Sequence, residues 1–123
     1  MIKAVVLERL RKRSEFLSVA KVGERWVTPA FIIQSHQRAL DGPFRYGITA
    51  SRKVGGAVKR NRAKRRLRAL LREFLPQVAQ PGMDYVFIAR SELLKRDFAL
   101  MGKEFDHVFL KRTQPHRFHN ERF

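Results

Sequence analysis

The chain has 123 residues, 27 Lys plus Arg against 11 Asp plus Glu, and a formal net charge of +16. One domain fits that length, and a hydrophobic content of 44% with ten Phe suffices for one modest core, which excludes a wholly disordered chain. The absence of cysteine excludes disulfide scaffolds, zinc ribbons and thiol catalysis, and makes the cytoplasm the expected compartment.

The apolar run Ala4 to Leu7 is cut off by Glu8, Arg9 and Arg11 before it reaches signal-peptide length. No stretch approaches the ~20 apolar residues of a membrane span, so no membrane partner is expected. Ser14 as N-cap, then Glu15, Phe16, Val19 and Ala20 at helical spacing, predicts a short helix closed by Gly23. From Trp26 to Ser35 the composition turns to β formers, with Pro29 separating a short extended segment from a strand over 30–35. Asp41, Gly42 and Pro43 mark a turn into a strand over 44–51, with Phe44, Tyr46, Ile48 and Ala50 on one face.

Gly55 and Gly56 end that strand, and a helical pattern runs from near Ala57 to about Leu75, where Pro76, Pro81 and Gly82 stop it. Asp84 to Arg90 reads as a strand. Behind Asp97 as N-cap, Phe98, Met101, Phe105, Val108 and Phe109 recur at three- and four-residue steps, predicting a last helix in which Gly102 is tolerated. Thr113 to Phe123 has no periodicity and is expected to be a disordered tail. The order predicts an α+β fold: one domain over 1–112, with helices packed on a small mixed sheet. The helix from Ala57 lies between two strands, so it is a crossover with one face on the sheet.

That crossover carries the strongest signal. From Gly42 to Arg72 there are eleven basic residues and no acidic one: Arg45, Arg52, Lys53, Lys59, Arg60, Arg62, Lys64, Arg65, Arg66, Arg68 and Arg72. Ala63, Leu67, Leu70, Leu71 and Phe74 form an apolar stripe, with Arg62, Arg65, Arg66, Arg68 and Arg72 on the opposite half. Like charges without counter-ions repel, which disfavours a merely solvated face. A membrane-surface helix is disfavoured because the apolar stripe is committed to the sheet. Lys59 and Arg60 sit in the first turn, where positive charge is unfavourable unless an anion is near. Gly55 and Gly56 leave backbone N–H groups open to a phosphate. Asn61 suits a base edge or a ribose, and the preference for Arg over Lys suits bidentate phosphate contact and stacking. The acids are scattered, which gives no sign of a self-sufficient metal nuclease, and His116 and His119 without a third ligand make no metal site.

The run Arg45-Tyr46-Gly47-Ile48-Thr49-Ala50-Ser51-Arg52-Lys53-Val54-Gly55, followed by Lys59-Arg60-Asn61-Arg62-Ala63-Lys64-Arg65-Arg66-Leu67-Arg68, resembles the bacterial ribonuclease P protein component from about Leu10 to Lys111. The resemblance implies a left-handed βαβ crossover through the basic helix. It also implies the small subunit of a ribonucleoprotein that removes the 5′ leader of precursor tRNA. The expected partners are the ribonuclease P RNA subunit and precursor tRNA, with no protein partner required. Mg2+ is expected on the RNA, which carries the active site, and none on the protein, so no catalytic residue is assigned to the chain.

Lys53, Arg60, Asn61, Arg62, Lys64, Arg65 and Arg68 match the family's RNA-subunit contact region, and Arg52 and Arg66 join them by charge and position. In the family a cleft between the first helix and the sheet holds the leader. Phe16 and Phe31 match aromatic positions there, Trp26 is a further candidate, and Ala20 and Gln34 stand where some members have aromatic residues. The competing reading is a structural RNA-binding protein such as a ribosomal component.

Overall fold

In chain order, a computed structural model describing residues 8–112 contains β1 (Glu8–Arg9), α1 (Arg13–Val22), β2 (Glu24–Val27), β3 (Phe31–Gln37), β4 (Arg45–Ala50), α2 (Ala57–Val78), β5 (Met83–Ala89) and α3 (Phe98–Arg112). Two short 3-10 turns, Arg52–Val54 and Ser91–Leu94, precede α2 and α3. The expected tail from Thr113, with His116 and His119, lies outside the described residues.

The strands form one mixed sheet in the order β1-β4-β5-β3-β2. β4 is parallel to both β1 and β5, and β3 is antiparallel to both β5 and β2. A parallel neighbour cannot follow through a tight turn, so α2 bridges β4 to β5. The sheet is covered on both sides, which makes this one α+β domain. Tyr85 and Phe87 of β5 face α2 and α3 in the main core, while Val86 meets Leu10 and Val19 beneath α1. Period-two alternation assigns every strand residue to one of these faces.

The main core is aromatic. Phe105 stacks on Phe87 at 5.9 Å and on Phe109 at 4.8 Å, and Phe31 meets Phe105 at 6.1 Å. Each fully buried ring stabilises the fold by about 1.5–3 kcal/mol. Leu67, Leu70 and Leu71 of the expected apolar stripe are all 0% exposed.

Two local expectations change, the start of α1 and the end of α2, and two features are added. Helix α1 starts at Arg13 with Lys12 as N-cap, and Ser14 lies inside it; Glu15 Oε1 accepts the backbone N–H groups of Arg11 and Lys12 instead. Pro29 belongs to a tight turn, in which Thr28 Oγ1 donates to the Phe31 carbonyl at 2.7 Å and accepts the Phe31 N–H at 3.0 Å. Helix α2 runs through Pro76 to Val78, since the missing donor falls in the final turn, where Gln77 Nε2 donates to the Glu73 carbonyl. Strand β1 is too short to leave a sequence pattern and exists by pairing with β4.

Candidate nucleic-acid interface

The approach to α2 is built by a capped 3-10 turn. Ser51 Oγ accepts the Lys53 N–H at 3.1 Å, and buried Val54 anchors the turn, which leaves Arg52 and Lys53 exposed. Gly55 then turns the chain at φ 133°, a conformation that a side chain disfavours. Gly56 is the N-cap and makes no side-chain cap bond, and the first turn of α2 contains no acid. Free N–H groups, the positive end of the helix dipole and Lys59 therefore coincide, an arrangement suited to an anion. Arg60 folds back so that Nη1 donates to the Gly55 carbonyl at 3.2 Å.

At 3.6 residues per turn the cations of α2 divide between two faces. Arg60, Lys64 and Arg68 are half-buried along one flank of the apolar stripe, with Asn61 exposed beside them, and Arg62, Arg65 and Arg72 are exposed on the outer face. All the ion pairs among the described residues use Arg38, Arg45, Lys95 or Arg96. Arg52, Lys53, Arg60, Arg62, Lys64, Arg65 and Arg68 are in none of them. Arg68 Nε is moreover buried without a hydrogen-bond partner.

Two expected members of the basic face are engaged elsewhere. Arg66 donates from Nη1 to the Leu93 carbonyl at 2.8 Å and from Nη2 to the Arg96 carbonyl at 3.0 Å. Arg45 points to the α1 side of the sheet, where Asp84 and Glu15 hold it. The hydrogen bonds that Arg45 donates to Asp84, followed by the charges of both carboxylates, raise its pKa further above the ordinary arginine value.

The aromatic cleft residues are separated by the sheet. Phe31, 0% exposed, and Trp26, buried at 9%, belong to the core beneath α2 and α3, because their strand positions point away from α1. They are not surface platforms. Phe16 alone of the three stands on the α1 side, its ring against Gly47, where an added Cβ would collide with it. Beside it the register aligns Gln34, Val86 and Gly47 in one row and Ile32, Ile88 and Thr49 in the next. Phe16, Ile32, Gln34, Thr49 and Ile88 are half-buried, and Ala20 is exposed one helical turn beyond Phe16. Ile32, Thr49 and Ile88 did not emerge from the sequence reading; the alternation within β3 opposite Phe31 and Ile33 was the available signal.

A family model described as Ribonuclease P matches residues 6–113. The chain belongs to the ribonuclease P protein family. It is 41% identical over 102 residues to the ribonuclease P protein component of Paramagnetospirillum magneticum, covering 80% of this chain and 77% of that protein. It is 53% identical over 93 residues to the component from Caulobacter vibrioides, covering 75% of this chain and 62% of that longer protein. The solved RNase P protein of Thermotoga maritima superposes with a TM-score of 0.70 at 32% identity, over 87% of this chain and 98% of that one. Membership of the ribonuclease P family makes the chain the protein component of a ribonucleoprotein endoribonuclease of tRNA processing.

Among the described residues no group of three or more His, Asp or Glu is placed to hold a metal ion, and no helix is long and apolar enough to cross a membrane. The carboxylates of Glu15, Asp84, Glu92 and Glu104 are each engaged by arginine, so they do not fit a protein-held Mg2+ site in ribonuclease P.

Proposed function

We propose that this protein binds the catalytic RNA subunit of ribonuclease P through the first 3-10 turn and α2, and holds the 5′ leader of precursor tRNA against the open strip of sheet beside α1. The observation that carries the reading is the cation set Arg52, Lys53, Arg60, Arg62, Lys64, Arg65 and Arg68, gathered around an uncapped helix N-terminus while every ion pair among the described residues forms elsewhere. Asn61 sits among them with an amide suited to a base edge or ribose.

On the α1 side, Phe16 supplies an aromatic face for an unstacked base, and Ile32, Ile88 and Thr49 supply an apolar floor. Gln34 and Ala20 keep that surface less aromatic, so leader binding rests chiefly on Phe16. Mg2+ and the hydrolytic step belong to the RNA subunit, and the protein works in the cytoplasm with RNA partners alone.

Reconstitution tests this. With a bacterial ribonuclease P RNA at low Mg2+, the full chain is expected to stimulate leader removal, and the double variant Arg65→Ala, Arg68→Ala is expected to lose that stimulation. Equal activity with and without the protein would overturn the reading.

A further inference from the structure

The second 3-10 turn, Ser91–Leu94, leads into α3 and packs against α2 and against the first one, Arg52–Val54. At its ends the Leu93 N–H reaches the Arg90 carbonyl, and the Lys95 and Arg96 N–H groups share the Glu92 carbonyl. Arg66 adds two side-chain bonds to this segment. From the middle of α2 its two terminal nitrogens diverge onto the Leu93 and Arg96 carbonyls, so one planar fork closes the C-terminal side of the turn. The chain continues the linkage: Arg96 donates to Glu104 of α3, with Nη2 at 2.6 Å and Nε at 3.0 Å, and to Glu92 of the turn itself at 3.3 Å.

We infer that Arg66 is a positioning residue for the RNA interface: it pins the second 3-10 turn to α2 and thereby holds the first turn, with Arg52 and Lys53, in place. The inference rests on the proposed RNA-binding role of that surface. Arg66 differs here from Arg65, its neighbour in sequence, which is exposed and makes no hydrogen bond or ion pair among the described residues. Swinging Arg66 out to a phosphate would strand two carbonyl acceptors, so its guanidinium stays where it is when RNA binds. A lysine presents one point donor and cannot span both carbonyls.

The test compares Arg66→Ala, Arg66→Lys and Arg65→Ala in the full chain. Arg66→Lys keeps the stem and the charge, so it reports on the fork even where the alanine variant folds poorly. Hydrogen exchange is expected to accelerate about tenfold in both Arg66 variants over residues 90–96 and 51–56, with β3 and β5 unchanged. Affinity for a ribonuclease P RNA, followed across salt concentration, is expected to fall about tenfold for Arg66→Ala with the wild-type salt slope. Arg65→Ala is expected to flatten that slope by about 0.7–0.9, the loss of one neutralised phosphate. A flattened slope for Arg66→Ala, or unchanged exchange over 90–96, would overturn the inference. Wild-type protein that fails to bind the RNA would instead overturn the RNA-binding reading, while the exchange data still decide whether Arg66 holds the turn.

Discussion

Arg45 grips the Asp84 carboxylate with two nitrogens, Nε at 2.9 Å and Nη2 at 2.7 Å, across the parallel pair β4 and β5. Its third nitrogen, Nη1, reaches Glu15 Oε2 of α1 at 2.9 Å, and Asp84, 4% exposed, also accepts from Arg38 at 2.9 Å. One guanidinium therefore ties α1 to the two central parallel strands. Arg45→Met keeps the stem but leaves a buried carboxylate with only Arg38. The expected loss is about 3 kcal/mol in urea denaturation. Arg62→Met, at an exposed and unpaired site, is expected to change stability by less than about 0.5 kcal/mol.

The same network sets an acid limit. The backbone N–H groups of Lys12 and Arg11, with Arg45 adding its charge, hold the Glu15 carboxyl down at about 2 from the ordinary 4.5. A carboxyl whose folded pKa is depressed stabilises the fold above its unfolded pKa and loses that contribution as pH falls through the folded one. The Glu15 contribution is thus complete above about pH 4.5 and gone near pH 2. Glu15→Gln is expected to lower the urea midpoint at pH 7, with the two profiles converging as the pH approaches 2. A gap between wild type and variant that stays constant with pH would contradict the assignment.

Leader recognition separates the two sides of the sheet. Phe16→Ala removes the aromatic surface beside α1 and is expected to weaken binding of a leader-bearing precursor tRNA by about tenfold, since one stacked base contributes about 1–3 kcal/mol. Mature tRNA, which has no leader, should bind unchanged. Phe31→Leu acts in the core and is expected to lower stability without altering the ratio of precursor to mature affinity. A shift in that ratio for Phe31→Leu equal to that of Phe16→Ala would show that the leader lies elsewhere.

What the sequence discloses depends on whether the deciding partner is near in the chain. The stripe Ala63, Leu67, Leu70, Leu71 is legible because helical period and burial coincide within a few turns. The basic run is legible because its meaning rests on what is missing from the same stretch, an acid. Arg45 and Arg66 look like members of that run, yet their partners lie 39, 27 and 30 residues away, at Asp84, Leu93 and Arg96. A cation's sequence neighbourhood does not distinguish a distant carboxylate or carbonyl from a phosphate. Phe31 and Trp26 are hard to place from sequence for a related reason. An aromatic platform and an aromatic core residue have the same chemistry, and the ring that Phe31 packs against in the core, Phe105 of α3, lies far along the chain.

Gly102 illustrates a glycine whose role appears only in three dimensions. In α3 it reads as a tolerated helix weakness, and on propensity alone Gly102→Ala would stabilise by about 1 kcal/mol. Its Cα, however, lies against the Phe74 ring of α2, and a Cβ there would collide with that ring. The ring has little freedom to move, because Phe98 and Phe105 flank it at 6.4 and 6.1 Å. Overpacking of this kind costs about 1–3 kcal/mol, which exceeds the propensity gain. Gly102→Ala is therefore expected to destabilise the protein by up to about 2 kcal/mol in thermal or urea unfolding. Phe74→Leu vacates the space, so the double variant Gly102→Ala, Phe74→Leu is expected to be more stable than the sum of the single effects. Additive losses, or a stabilising Gly102→Ala, would mean that the approach of α3 to α2 at this point is not the reason for the glycine.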